Sequence, residues 1–266
     1  MNKTSMGIAL ALVTFAPASF AARAWLLPSQ TIVARSGGWV TFDAANSDDL
    51  FSFNQGSMPI DALSVTTPDQ QPITAQNVAK GRTRSSFDLE IRVPGTYRVA
   101  VAGDTVMARW EEEGKPKRWR GVPADMAANI PANAAKLEVE QTQRRVETFV
   151  TVGAPTALKT SGVGLELVTI THPNDLYKGE PAKFQFLLDG KPAPDLEVEI
   201  IAGGTRYRDS PEAIVVKTDK QGAFSVTWPQ AGYYWLDAAI DDENATVPNV
   251  KKRRAAYNAT LEVLPQ

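Results

Sequence analysis

His172 is the sole histidine among 266 residues, and it heads the stretch His172-Pro173-Asn174-Asp175. One imidazole and one carboxylate at this spacing offer two donors to a divalent transition metal. Two donors make a weak site, since tight nickel, cobalt or zinc centres draw on more ligands than that. The competing reading is structural: Pro-Asn-Asp is ordinary turn chemistry, and His172 and Asp175 would then fix the loop through hydrogen bonds. With one histidine and no cysteine, the chain cannot build a multi-histidine metal or haem site, a thiolate site, a disulfide or a cysteine nucleophile. A triad with a histidine base would have to form around His172. Asp241-Asp242-Glu243 supplies three more carboxylates, which suit calcium or magnesium better than nickel and read equally as a solvated acidic loop.

Aromatic and cationic side chains form two further candidates. Trp110-Glu111-Glu112-Glu113-Gly114-Lys115-Pro116-Lys117-Arg118-Trp119, followed by Arg120, reads as a hairpin with a charged tip and indole shoulders. Exposed, Trp110, Trp119 and Arg120 could grip a sugar, a siderophore or a partner's loop; turned inward, the two indoles would pair across strands and close the core. In Arg206-Tyr207-Arg208, strand alternation would put both guanidinium groups on one face, able to receive a carboxylate or phosphate or to stay solvated. Lys251-Lys252-Arg253-Arg254 precedes a last strand, Ala255 to Val263, and reads as a loop that guards it from edge pairing. No serine with a base and no phosphate loop is recognisable. Gly162-Val163-Gly164 lacks the helix that a dinucleotide site needs. The expectation is a chain that is not an enzyme, although spacing alone does not exclude two carboxylates meeting in three dimensions as a glycosidase pair.

The elements that must position these groups are strands. Trp39 to Asp43, Phe87 to Ile91, Tyr97 to Val101, Phe184 to Leu188, Leu196 to Ile200 and Phe224 to Trp228 show period-two alternation or apolar runs rich in β-branched and aromatic residues. Pro94-Gly95, Asp189-Gly190-Lys191-Pro192 and Lys220-Gln221-Gly222 supply reversals between them. The best helix is short, from Ala124 to Asn129 behind Pro123. A repeat divides the chain: Phe87, Gly95 and Tyr97 recur at the same spacing as Phe224, Gly232 and Tyr234. The pattern predicts an all-β protein with two related sandwiches in tandem, residues 22–159 and 160–266, joined through the linker-like Gly153 to Gly162.

The start of the chain has the form of an export leader. Lys3, the apolar run from Ile8 to Phe15, and the small residues Ser19 and Ala21 predict a signal peptide over residues 1–21 cleaved after Ala21. Its apolar run is too short to span a bilayer of about 30 Å. The expected product is periplasmic, monomeric and without a membrane span. The formal charge of −2 provides no dense basic surface for nucleic acid.

Several motifs carry a family resemblance when taken together: Trp25-Leu26-Leu27-Pro28-Ser29, Lys117-Arg118-Trp119-Arg120-Gly121, Gly164 to Val168 leading into Thr171 to Asp175, Gly179 to Ala182, Leu188 to Pro192, Gly203 to Arg208, Thr218-Asp219 and Trp228-Pro229. The chain resembles an exported bacterial family of unknown function linked to the periplasmic, substrate-specific component of nickel and cobalt uptake. That resemblance implies two immunoglobulin-like or transthyretin-like sandwiches and a non-enzymatic binding or accessory role in uptake of nickel, cobalt or an iron complex, beside an envelope transport or receptor component. A divalent transition metal is the one cofactor it suggests. Family members often carry histidine just before the Trp-Leu-Leu-Pro stretch; here Ala22-Arg23 stands there, and arginine offers no lone pair. The alternative is an adaptor that docks on an envelope receptor without binding metal. For the first reading, Trp110, Trp119, Arg120, His172, Asp175, Arg206 and Arg208 would line one contact surface.

Overall fold

The computed structural model describes residues 22–266, so the leader and its cleavage point lie outside the described residues. Apart from two 3-10 turns and one helical turn, every element is a strand. The alternation seen in the sequence is the alternation of burial: in Ser85–Ile91, residues Phe87, Leu89 and Ile91 point inward and their neighbours do not. The short helix falls where Pro123 sets it, as a 3-10 turn Pro123–Asp125 running into Met126–Asn129.

Three sheets result. A five-stranded sheet runs Arg23–Pro28, Gly38–Ser47, Ser85–Ile91, Gln76–Lys80, with Gly56–Ser57 attached to Gly38–Ser47. A four-stranded sheet holds Leu165–Thr169, Pro181–Leu188, Lys191–Pro192 and Ala223–Thr227. Between them lies a ten-stranded sheet. Its spine is Glu197–Ala202, Gly232–Asp242, Lys252–Val263, Ala135–Val152 and Gly95–Glu112, in that order. The central pairing is parallel, from Glu140 opposite Lys252 to Thr148 opposite Thr260, and it joins a strand of the first half to the last strand of the chain.

Adjacent residues of Ala135–Val152 therefore serve opposite cores. Val146, Val150 and Val152 pack with Phe42, Phe87, Tyr97 and Val99 beneath the five-stranded sheet. Phe149 packs with Phe184, Phe186, Trp228 and Tyr257 beneath the four-stranded one. Because successive side chains of a strand point to opposite faces, the two smaller sheets cover opposite faces of the large sheet. A third cluster of Trp25, Ala45, Leu50, Ile201 and Trp235 fastens the first strand across this junction, and the Trp235 indole donates to the Ala24 carbonyl at 2.9 Å. The Trp25 to Ser29 motif thus begins in a buried seam, with Trp25 donating to Ser47 at 2.8 Å.

The sequence repeat has a physical basis. Tyr97 Oη accepts the Val93 amide at 2.6 Å, and Tyr234 Oη accepts the Gln230 amide at 3.3 Å while donating to the Gln230 carbonyl at 2.9 Å. Each pair is the tyrosine corner of an immunoglobulin-like sandwich, a ring that ties a strand start back to its incoming turn. Gly95 and Gly232 begin these strands at φ of 126° and 134°. At Gly95 a side chain would also meet Pro68 at 2.6 Å. Phe87 lies opposite Phe42 and stacks on it at 5.0 Å, as Phe224 lies opposite Phe184 at 5.5 Å.

Three local expectations change. Lys252, Arg253 and Arg254 begin the last strand, which is interior rather than at an edge, because strands pair along both of its sides. Arg206 and Tyr207 lie in a 3-10 turn, Thr205–Tyr207, since Gly204 takes a left-handed φ of 77° and ends the strand before them. Residues 153–162 have linker composition but are clamped. Thr156 and Thr96 exchange hydrogen bonds at 2.9 and 3.1 Å, and Glu166 accepts the Ser161 and Gly162 amides at 2.8 and 2.7 Å. Among the described residues no helix is long and apolar enough to cross a membrane.

Candidate functional site

His172 is held by both ring nitrogens. The Asn174 amide donates to Nδ1 at 3.2 Å, so in the neutral ring Nε2 carries the proton and donates to Thr96 Oγ1 at 2.9 Å. Thr96 and Thr151 share a hydrogen bond at 2.9 Å, Thr151 donates to Asn174 Oδ1 at 2.8 Å, and Asn174 Nδ2 donates to the Phe149 carbonyl at 3.1 Å. The result is a closed ring of hydrogen bonds that ties the loop after Leu165–Thr169 to the large sheet. Burial lowers the His172 pKa below 6.5, against the opposing pull of the Thr156 backbone and of the Asp175 charge. Asp175 itself is exposed. Coordination by His172 would require breaking one of its two hydrogen bonds. Among the described residues no three His, Cys, Asp or Glu side chains are grouped to hold a metal ion.

The hairpin forms as expected from Gly95–Glu112 and Lys115–Gly121. Its indoles are not directly opposed: Trp110 faces Lys117 and Trp119 faces Ala108. Trp119 packs against a small cluster of Val106, Val247 and Val250, which is a closing role. Trp110 is half-buried beside a cleft of about 200 Å³, and its indole N–H has no acceptor among the described residues. Arg120 is exposed. Arg208 does not await an anion. Its guanidinium donates to the carbonyls of Ala202, Gly203 and Pro211 at 2.7 to 3.2 Å and so braces its own loop. Arg206 and Tyr207 are exposed at the tip, Tyr207 at 87%.

These candidates do not meet. His172 binds at the Thr96 end of Gly95–Glu112 and Trp110 lies near the other end, roughly 45 Å away at about 3.3 Å per residue. Arg208 lines a separate cleft of about 320 Å³ with Arg23, Asp48 and Asp49.

What the sequence reading missed is a pair of buried ionic knots on the large sheet. Arg253, 2% exposed, donates through Nε and Nη2 to both oxygens of Asp242 at 2.9 and 2.5 Å, to Asp189 at 2.8 Å and to Gln143 at 3.0 Å. The Arg253 hydrogen bonds hold the Asp242 carboxyl down at about 2. Asp242 is therefore the last residue of a strand with a partner, not part of a free acidic loop. Nearby, Glu147 accepts from Tyr257 at 2.8 Å and from Arg145 at 3.1 Å. Burial, then the Glu147 charge, drives the Tyr257 phenol well above its usual value. The signal was present in the alternation Arg253, Ala255, Tyr257, Ala259, Leu261, which puts Arg253 on the core face.

Fold and sites together define an all-β, immunoglobulin-like protein. The chain belongs to the family described as domain of unknown function DUF4198, whose model matches residues 19–242. No curated protein matches it by sequence. Among solved structures it is similar to the human OSCAR ligand-binding domain, at 14% identity and a TM-score of 0.22 over 90% of this chain and 97% of that one. It is also similar to the D0-D1 domain of intimin, at 10% identity and a TM-score of 0.21 over 90% and 97%. A third likeness is to Escherichia coli alpha-2-macroglobulin activated by porcine elastase, at 11% identity and a TM-score of 0.24 over 92% of this chain and 20% of that one. At such scores these likenesses carry no argument about function.

Proposed function

We propose that the chain is an exported, non-enzymatic adaptor of the periplasm, and that its part in nickel, cobalt or iron-complex uptake runs through a partner rather than through metal ligands of its own. The observation that carries this reading is the occupation of both His172 ring nitrogens by hydrogen bonds, one within its own loop and one to Thr96 in the other half. The leader residues and the family resemblance support the compartment and the link to uptake. The shared sheet favours a rigid platform, and the hairpin around Gly114 projects from it as the natural contact element.

Two measurements test the proposal. Calorimetric titration of the purified protein with nickel or cobalt should give no binding tighter than about 10 µM, and a tighter site lost in His172→Gln would return the metal to this chain. A photo-crosslinking residue placed at Lys115 should capture a discrete envelope protein in cells. Capture from a control position at Lys191 but not from Lys115 would remove the hairpin from the proposal.

A further inference from the structure

We propose that the open face of the ten-stranded sheet carries a trench that binds a phosphate group, with Arg144 on its floor and Arg120 and Arg254 beside it. This goes beyond the adaptor reading, because it concerns a small anion and a different surface from the hairpin tip.

Strand register builds the site. Arg144 shares a face with Val146, two residues on, but the apolar core beneath the five-stranded sheet includes Val146, Val150 and Val152 and not Arg144, which is exposed. Opposite Arg144 stand Gly103 on one side and Ala256 on the other, and Ala256 in turn faces Ala239. A row of small side chains therefore crosses the sheet with one long guanidinium rising from it. The adjoining row is Thr105, Thr142, Arg254 and Asp241, and Arg254 is steadied by Asp241 at 3.0 Å. Arg120 lies on the same face, opposite Met107.

Two cations on this face lack a direct hydrogen-bonding partner. Arg120 and Arg144 make no hydrogen bond or ion pair within the described residues. Of the nearby carboxylates, Asp241 is taken by Arg254, Asp237 accepts from the neutral Asn258 at 2.5 Å and attracts Arg144, and Glu197 and Glu199 line a neighbouring cleft with Asp237, Ala239 and Arg254. Glu140 faces Met107 and Lys252 rather than either arginine in the register. Partial loss of solvent at the base of the side chain, followed by the like charges of Arg120 and Arg254, lowers the Arg144 pKa, while Asp237 pulls the other way. Neighbouring guanidinium groups are stable together when an oxyanion spans them, because each presents a planar fork of N–H donors that matches phosphate oxygens. The Thr142 hydroxyl, on the same face, adds a neutral donor.

The test uses the whole protein at low ionic strength in a phosphate-free buffer. One arm titrates inorganic phosphate by calorimetry; the other sediments the protein with phosphatidylcholine vesicles containing phosphatidic acid. Binding in the first arm that weakens at least about tenfold in Arg144→Gln and in Arg120→Gln, but not in the exposed control Arg35→Gln, supports a soluble phosphate ligand. Binding in the vesicle arm alone, with the same losses, supports a lipid headgroup carrying the same chemistry. Arg120 belongs to the hairpin outside both main cores, so that variant keeps the test sound if Arg144→Gln perturbs folding. No binding in either arm, or wild-type binding in both variants, overturns the proposal, and neither result bears on hairpin crosslinking.

Discussion

Arg253 is the residue whose removal should be felt most. Its charge is fully enclosed and answered by Asp242 and the more exposed Asp189, so Arg253→Ala leaves the mostly buried Asp242 carboxylate without its cation and should cost about 3 kcal/mol in denaturant unfolding. The same knot sets an acid limit. A carboxyl held below its ordinary value contributes stability that is complete above about 3.8 and is lost as the pH falls toward about 2. Melting temperature should drop through that window, and Asp242→Asn should flatten the drop while lowering the plateau. His172 gives a second slope of the same sign. Its depressed value means that its contribution is present above 6.5 and is lost as the pH falls below that. His172→Gln should reduce the loss of stability that sets in as the pH falls below about 6.5; an unchanged profile would assign that slope to another group. At this scale the sequence was half legible. The turn chemistry of His172-Pro173-Asn174 pointed to a hydrogen-bonded loop, but its partners Thr96 and Thr151 are remote in the chain and nothing local names them.

At the scale of the element, the tyrosine corners invite a paired experiment. Tyr97→Phe and Tyr234→Phe each delete one hydroxyl from the same geometry, so each should cost about 1–2 kcal/mol in denaturant unfolding. A cost confined to one of them would mean that the repeat is shared in spacing but not in energetics. Here the sequence was most informative. Period-two alternation, the Gly and Pro turns and the Phe-Gly-Tyr spacing are local signals, and the strands and corners appear where those signals stand. It failed where a local pattern met a nonlocal cause. Arg206-Tyr207-Arg208 alternates like a strand, yet Gly204 in the left-handed region turns the chain first. The basic run before the last strand resembles edge protection, yet that strand acquires a neighbour on each side.

At the scale of the molecule, the parallel pairing of Ala135–Val152 with Lys252–Val263 makes the two cores one mechanical body. Thermal unfolding followed by calorimetry should therefore show a single transition rather than two separate ones, and residues 22–159 expressed alone should lack the cooperative melt of the whole chain. Two resolved transitions would mean that the shared sheet does not couple the halves. The pairing also imposes an order of events. Residues 140–148 have no permanent neighbour on that side until residues 252–260 exist, so the first half must wait, with an unmated strand edge, for that segment to arrive. For a chain made from its beginning, residues 252–260 are the latch. A chain cut short before residue 252 would keep most of its mass and be open along its middle.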